Sequence, residues 1–182
     1  NIDNIRHPVR IICDSKLRIP EDSRIVNSAN DYDTIIVTAD NSISSGELSI
    51  NNIEESCLNG RANKAGRLIA KGIKIINSPG KRGNVDLKML MRILGEKGID
   101  SILLEGGGTL NESALEAGIV NEVNAFIAPK IFGGTGKTPV CGIGVDEPGE
   151  AIMLEPGEIE QLGDDILIRY KIHRKGERCS QE

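Results

Sequence analysis

Two glycine-rich segments of the sequence could hold phosphate groups. The first, IFGGTGKTP at 131–139, ends in the Gly-Lys-Thr of a P-loop, whose pattern is G-x-x-x-x-G-K-[ST]. The first glycine of that pattern would fall at Ile131, and the PVCG that follows at 139–142 cannot sustain a helix. We therefore expect a turn here and not a nucleoside triphosphate site.

The second segment, LLEGGGTLN at 103–111, has the order strand, glycine turn, helix that builds anion sites. Glycines let a phosphate approach the backbone, and the N-terminus of the following helix favours its charge. The candidate ligand-binding residues are Gly106, Gly107, Gly108 and Thr109. A plain tight turn is the alternative, and Asn111 stands where a dinucleotide fingerprint would need its last glycine.

Other polar residues follow predicted strands at the same sheet edge. Ser15, Lys16 and Arg18 in DSKLRIP (14–20) could grip a ribose phosphate, although such a segment is also typical of a solvated loop. Thr38 ends a strand, where it either meets a ligand or caps the strand. Glu105 precedes the glycines, and its carboxylate either lies beside the ligand or caps nearby N–H groups.

The sequence shows no spacing of residues that is typical of a hydrolytic triad or of a metal site. His7 and His173 lie near opposite ends of the chain and form no triad or ligand spacing. The four cysteines, at 13, 57, 141 and 179, form no C-x-x-C pair and are expected to be idle thiols in a reducing cytosol. Chemistry carried by a cofactor fits this inventory, because it needs few protein acids or bases.

The composition favours a globular protein with an aliphatic core. The 182 residues carry a net charge of -5 and include two Phe, two Tyr and no Trp. The mixed charges argue against a nucleic-acid surface, and no apolar run is long enough to span a bilayer. One cytoplasmic domain is the expectation.

The elements that position these residues follow from the hydrophobic pattern. Runs rich in Ile and Val alternate with segments of helical period, which predicts an α/β domain with a largely parallel sheet. Strands are expected at 9–14, 34–38, 73–77 and 101–104, with helices in the second half of 51–71, at 87–94 and at 109–117. The last third predicts strands without helices, at 122–129, 152–154, 159–162 and 166–172, with a hairpin turn at 163–165. The sheet should therefore finish antiparallel, before a charged, disordered tail at 174–182.

Three long segments resemble the riboflavin-pathway pyrimidine reductase family. They are HPVRIICDSKLRIPEDSRI at 7–25, VDLKMLMRILGEKGIDSILLEGGGTLN at 85–111 and GIVNEVNAFIAPKIFGG at 118–134. The likeness is greatest to the archaeal reductases of 2,5-diamino-6-(ribosylamino)-4(3H)-pyrimidinone 5′-phosphate, and the bacterial relatives are the reductase halves of a bifunctional deaminase/reductase. The resemblance implies a reductase domain at 1–173. It also implies that roughly sixty residues of the family pattern, with much of the substrate pocket, precede the position of Asn1.

The resemblance further implies a dihydrofolate-reductase-like fold with helices on both faces, a homodimer, and NADPH-dependent reduction of a ribosylamino side chain to ribitylamino. Ser15, Lys16, Leu17 and Arg18 are then part of the cofactor loop, with Lys16 or Arg18 near the 2′-phosphate. Gly106 to Thr109 hold the pyrophosphate, Thr38 and Ile76 line the dinucleotide site, and Glu105 faces the substrate. Two alternatives stay open: the bacterial amino-uracil substrate, and a non-catalytic nucleotide-binding or dimerising fragment.

Overall fold

The computed structural model of the protein describes residues 7–40, 45–48, 60–131 and 133–172. They belong to two compact units, Asn1–Asp100 and Ser101–Glu182. The predicted tail at 174–182, His173 and the first part of the segment 51–71 lie outside the described residues.

The first unit contains a mixed sheet whose strands run in the order β1-β2-β4-β3. The strands are β1 (Arg10–Cys13), β2 (Thr34–Thr38), β3 (Gly46–Leu48) and β4 (Lys74–Asn77). β1, β2 and β4 are parallel, and β3 is antiparallel at the edge. β2 is buried along its whole length because it lies between two parallel neighbours, as expected for a continuous run of β-branched residues.

Helices follow each of the parallel strands. They are α1 (Arg24–Asn27), α2 (Gly60–Ala70) and α3 (Leu87–Glu96). Leu87, Leu90 and Leu94 form the buried face of α3, and the Asp86 carboxylate caps it by accepting a hydrogen bond from the Met89 N–H at 2.9 Å. The predicted helix is confirmed, although it runs on through Gly95.

The amino ends of the strands are held together by Arg10. Its guanidinium donates to Thr34 Oγ1 at 3.0 Å, Ser28 Oγ at 2.8 Å and the Tyr32 carbonyl at 3.1 Å. It also lies 5.0 Å from the centroid of the Tyr32 ring, within the range of a cation–π contact. Arg10 thus braces the amino ends of β1 and β2, whereas the loop 14–20 and Thr38 lie at the carboxyl ends of these strands.

The second unit contains α4 (Gly108–Glu116) and an antiparallel sheet. Its strands, in the order β5-β7-β6, are β5 (Glu122–Ile127), β6 (Leu154–Leu162) and β7 (Asp165–Ile172). Gly163, with a φ of 63°, and the residue after it form the hairpin turn between β6 and β7, as predicted. β6 contains the strand expected at 159–162 but only Leu154 of the one expected at 152–154, and it continues through the residues between them with a register shift between Pro156 and Ile159.

The segment 101–104 corrects one expectation. It was predicted to be a buried strand, but the structure assigns it no strand pairing, and Leu103 is 77% exposed. A short apolar run forms a strand only where a partner offers its backbone hydrogen bonds, and no described strand does so here. The predicted antiparallel arrangement of the last strands is confirmed, since β5, β7 and β6 pair antiparallel within the second unit.

Candidate functional site

The loop after β1 folds around Leu17. This residue has a φ of +50°, is 6% exposed and packs in the core cluster of the first unit. The Asp14 carboxylate accepts a hydrogen bond from the Ile19 N–H at 2.7 Å, which closes the loop. Because Leu17 is buried, the flanking residues Lys16 and Arg18 are exposed. The loop therefore presents two cationic side chains, one on each side of the buried Leu17.

The far end of this loop is fastened to α2. The Arg67 guanidinium donates two hydrogen bonds to the Glu21 carboxylate, at 2.7 and 2.8 Å, and Lys71 Nζ donates to the Glu21 carbonyl at 2.7 Å. The hydrogen bond from Arg67 lowers the pKa of Glu21, and the carboxylate in turn raises the pKa of Arg67. The loop is thus held at both ends, by Asp14 and by Glu21.

Thr38 and Ile76 lie at the carboxyl edge of the parallel strands, but their side chains serve the fold. The Thr38 hydroxyl donates to the Ser15 carbonyl at 3.2 Å, and Thr38 is 4% exposed. This geometry matches the strand-capping alternative. Ile76 is fully buried, so its side chain offers no surface to a ligand in this structure.

Two buried polar residues at this edge were missed from the sequence. Asn77 and Ser78 are both fully buried, and Asn77 exchanges two hydrogen bonds with the backbone of Asp40. The available signal was the end of the strand itself, because an apolar run that closes in Asn-Ser-Pro places amide and hydroxyl groups where the chain leaves the sheet.

In the second unit, the three glycines of the turn before α4 have different surroundings. A Cβ built on Gly107, the N-cap residue, would meet nothing within 4 Å. A Cβ on Gly108 would lie 2.7 Å from the Thr138 carbonyl oxygen, and one on Gly106 would lie 3.0 Å from Leu110 Cδ2. Only Gly107 therefore leaves open space beside the helix N-terminus.

The end of the Gly-Lys-Thr segment packs against the same helix. The Cys141 N–H donates to the Gly108 carbonyl at 3.1 Å, and Asn111 Nδ2 donates to the Pro139 carbonyl at 2.8 Å. A third hydrogen bond runs from the Gly144 N–H to the Glu112 carboxylate at 3.2 Å. A P-loop would begin a helix at its Gly-Lys-Thr, whereas residues 137–147 contain no helix, and the next one is the short 3-10 helix Pro148–Glu150. The segment is a turn that docks on the first turns of α4.

Glu105 and Thr109 flank the glycines, and both are exposed. Asn111, on the next turn of α4, has a buried Oδ1 that accepts no hydrogen bond from any described residue. That oxygen would lie 3.2 Å from a Cβ on Gly106, so it is directed at the glycine turn. The turn thus combines an open helix N-terminus with an unused acceptor.

The described part of the chain meets the requirements of neither a metal site nor a membrane-spanning helix. Within residues 7–40, 45–48, 60–131 and 133–172, no three His, Cys, Asp or Glu side chains are grouped so as to hold a metal ion. None of the described helices is long and apolar enough to cross a bilayer. Of the cysteines, Cys13 is partly buried, which raises its pKa, and Cys141 is exposed.

The family model and the most similar curated proteins that the chain matches all concern riboflavin biosynthesis. Residues 2–168 match the family model described as "RibD C-terminal domain". The riboflavin biosynthesis protein RibD of Actinobacillus pleuropneumoniae is 38% identical over 170 residues. The alignment covers 93% of this chain but only 40% of that protein. The 2,5-diamino-6-ribosylamino-4(3H)-pyrimidinone 5′-phosphate reductase of Methanothermobacter thermautotrophicus is 34% identical, with 91% of this chain and 67% of the relative covered.

Solved structures confirm the fold class. RibD of Acinetobacter baumannii aligns with a TM-score of 0.63 at 17% identity, over 92% of this chain and 38% of that one. A riboflavin biosynthesis reductase of Saccharomyces cerevisiae aligns with a TM-score of 0.62 at 19% identity, over 92% of this chain and 70% of that one. The α/β, dihydrofolate-reductase-like class is therefore correct. The family match, the relatives and the fold agree, and the chain belongs to the RibD C-terminal domain family.

Proposed function

We propose that the protein is an NADPH-dependent oxidoreductase of riboflavin biosynthesis, which reduces the ribosylamino side chain of a pyrimidine 5′-phosphate to ribitylamino. The observation that carries this proposal is the similarity to the archaeal reductase, which extends over 67% of that enzyme's length. The chain spans 40% of the first bacterial relative, so the reductase step is the activity assigned here.

The loop after β1 fits the phosphate end of the cofactor. Lys16 and Arg18 are exposed on either side of the buried Leu17. Two cations on a loop that is fastened at both ends can hold a phosphate dianion with little further ordering of the loop backbone. We assign the 2′-phosphate of NADPH to these residues, with Ser15 as the adjoining part of the loop, and expect the enzyme to prefer NADPH to NADH.

The glycine turn of the second unit fits a pyrophosphate. The open space at Gly107 lets an anion approach the N–H groups that begin α4, where the helix dipole favours negative charge. The unused acceptor Asn111 Oδ1 suits a hydroxyl donor of the ligand's sugar. Gly106, Gly108 and Thr109 shape this turn, and Glu105 is the proposed substrate contact.

When bound, NADPH would supply the hydride that reduces the sugar carbon. The described residues would bind and orient: Lys16 and Arg18 hold a phosphate, and the turn at Gly107 admits a second anionic group. Thr38 and Ile76 remain proposed as part of the wall behind the cofactor, where they act through the packing of the sheet edge. A homodimer in the cytoplasm is the assembly and location that we propose.

The deciding experiment is NADPH oxidation by the full-length protein with each of two substrates. These are 2,5-diamino-6-(ribosylamino)-4(3H)-pyrimidinone 5′-phosphate and 5-amino-6-(5-phosphoribosylamino)uracil. We expect NADPH oxidation with the first substrate. The loss of NADPH absorbance measures this oxidation, and mass spectrometry identifies the ribitylamino product. Absence of NADPH oxidation with both substrates would refute the proposed reductase activity. Turnover of the second alone would keep the reductase and change its substrate.

A further inference from the structure

Asn77 is the last residue of β4, and its side chain binds the turn that follows β2. Asn77 Nδ2 donates to the Asp40 carbonyl at 2.9 Å, and the Asp40 N–H donates to Asn77 Oδ1 at 2.9 Å. A carboxamide has the same donor and acceptor as a peptide group. This pair therefore extends the contact between β2 and β4 beyond their last backbone hydrogen bond, from the Ser78 N–H to the Thr38 carbonyl at 2.9 Å. Asn77 is fully buried, which shields both bonds from water.

The same turn is bonded on its other side to the loop that follows β1. The Ser15 carbonyl accepts hydrogen bonds from the Ala39 N–H and the Thr38 hydroxyl, both at 3.2 Å. Ser15 directly precedes Lys16, the first of the two exposed cations. A continuous chain of hydrogen bonds therefore connects Asn77, through residues 38–40, to the base of the cationic loop.

We propose that Asn77 is a positioning residue for the 2′-phosphate contact of NADPH. It fixes the turn at 38–40, and that turn fixes the Ser15 carbonyl from which the loop with Lys16 and Arg18 departs. This inference rests on the proposed function, because it concerns the same cofactor. It adds a residue that touches no ligand and acts on the selection between NADPH and NADH.

The test measures dissociation constants for NADPH and for NADH in the full-length protein, by the fluorescence of the reduced nicotinamide. In Asn77→Ala the NADPH constant should rise about fivefold to tenfold, the size expected when one or two net hydrogen bonds are lost, while the NADH constant changes less than about twofold. In steady state, KM for NADPH should rise while kcat at saturating NADPH stays the same. A merely structural role would not separate the two cofactors.

Ser78→Ala is the matched control. Ser78 is equally buried, and its hydroxyl donates to the Asp86 carbonyl at 2.8 Å, toward α3 and not toward the turn. We expect this variant to lose stability but to keep the ratio of the two dissociation constants. Should Ser78→Ala and Asn77→Ala shift that ratio equally, or should Asn77→Ala leave it unchanged, the positioning role is overturned.

A second variant covers the case in which Asn77→Ala does not fold. Asn77→Asp keeps the shape of the side chain and the oxygen that accepts from the Asp40 N–H, but it replaces the Nδ2 donor with a second oxygen. We expect the same loss of preference for NADPH over NADH. The change should also vanish in a Lys16→Ala, Arg18→Ala background, because Asn77 acts through that loop. Failure of the unsubstituted protein to bind NADPH would overturn the proposed function and this inference together. Normal preference in Asn77→Asp would overturn the inference alone.

Discussion

Two hydrogen bonds, of 2.7 and 2.8 Å, join the Arg67 guanidinium to the Glu21 carboxylate. Arg67 is on α2, whereas Glu21 directly follows the loop with Lys16 and Arg18. The pair therefore connects a helix of the first unit to the end of the cationic loop. A bidentate pair of this kind fixes direction as well as distance.

The pair predicts a specific dependence on acid. Because Arg67 lowers the pKa of Glu21, the carboxylate contributes stability above its ordinary pKa of 4.5, and this is lost as the pH falls through the lower pKa of the folded state. Glu21→Gln should flatten the fall of the melting temperature below about pH 4.5. Asp22→Asn, a neighbouring exposed carboxylate with no ion pair among the described residues, is the control. Equal slopes in Glu21→Gln and in the unsubstituted protein would contradict the prediction.

Gly107 and Gly108 are adjacent but should respond differently to alanine. Gly107→Ala meets open space at an ordinary backbone conformation, with φ at -75°, so the fold should be unchanged while NADPH affinity falls about tenfold or more. Gly108→Ala would push the Thr138 carbonyl and Cys141 away from α4, so it should lower the melting temperature. Calorimetry and NADPH titration on both variants separate the two effects. Unaltered NADPH affinity in Gly107→Ala would rule out the anion contact at this turn.

Leu17 should affect both stability and cofactor binding. Leu17→Ala removes a buried anchor and should cost about 2–4 kcal/mol of unfolding free energy, measured by denaturant titration. It should also weaken NADPH binding, because Lys16 and Arg18 lose the anchor between them. Leu68→Ala is the control, since Leu68 is fully buried in the same cluster on α2. That variant should lose similar stability and keep the affinity; an equal loss of affinity in both would show that Leu17 has no local role.

The two described cysteines should differ in alkylation. Cys141 is exposed, whereas burial raises the pKa of the Cys13 thiol, so the reactive thiolate of Cys13 is scarcer and less accessible. Iodoacetamide on the native protein should modify Cys141 first, as followed by peptide mass spectrometry. Bound NADPH should slow this reaction if the cofactor lies at the glycine turn, because the Cys141 N–H is bonded to Gly108. Faster labelling of Cys13 would contradict the burial argument.

The sequence pattern located most elements because local chemistry determined them. The run Thr34-Ile-Ile-Val-Thr38 has β-branched residues throughout and is the central strand, and the leucines at 87, 90 and 94 are the buried face of α3. The run Ser101-Ile-Leu-Leu104 is also short and apolar, but it has one β-branched residue and no described strand pairs with it. The absence of a partner is a property of the tertiary structure, which the pattern of a single segment does not encode.

The sequence pattern located the loops and turns that carry the proposed site residues, whereas the binding roles of those residues stay predictions. Lys16, Arg18 and Gly107 are accessible, as their placement after strands or in turns indicated. The bond between Thr38 and the Ser15 carbonyl depends on a contact across 23 residues, and that between Asn77 and Asp40 on one across 37. Such pairings depend on strand order, which hydrophobic periodicity does not encode.

The guanidinium of Arg10 has a practical consequence. It binds Ser28, Tyr32 and Thr34 around the amino ends of β1 and β2, at the opposite end of these strands from the loop with Lys16 and Arg18. The adjoining surface at Asp31 is exposed, and it is carried by a segment that Arg10 already braces. A tether or reporter group attached at Asp31 would therefore leave the opposite end of the strands accessible, which makes this position suitable for immobilising the protein in cofactor-binding measurements.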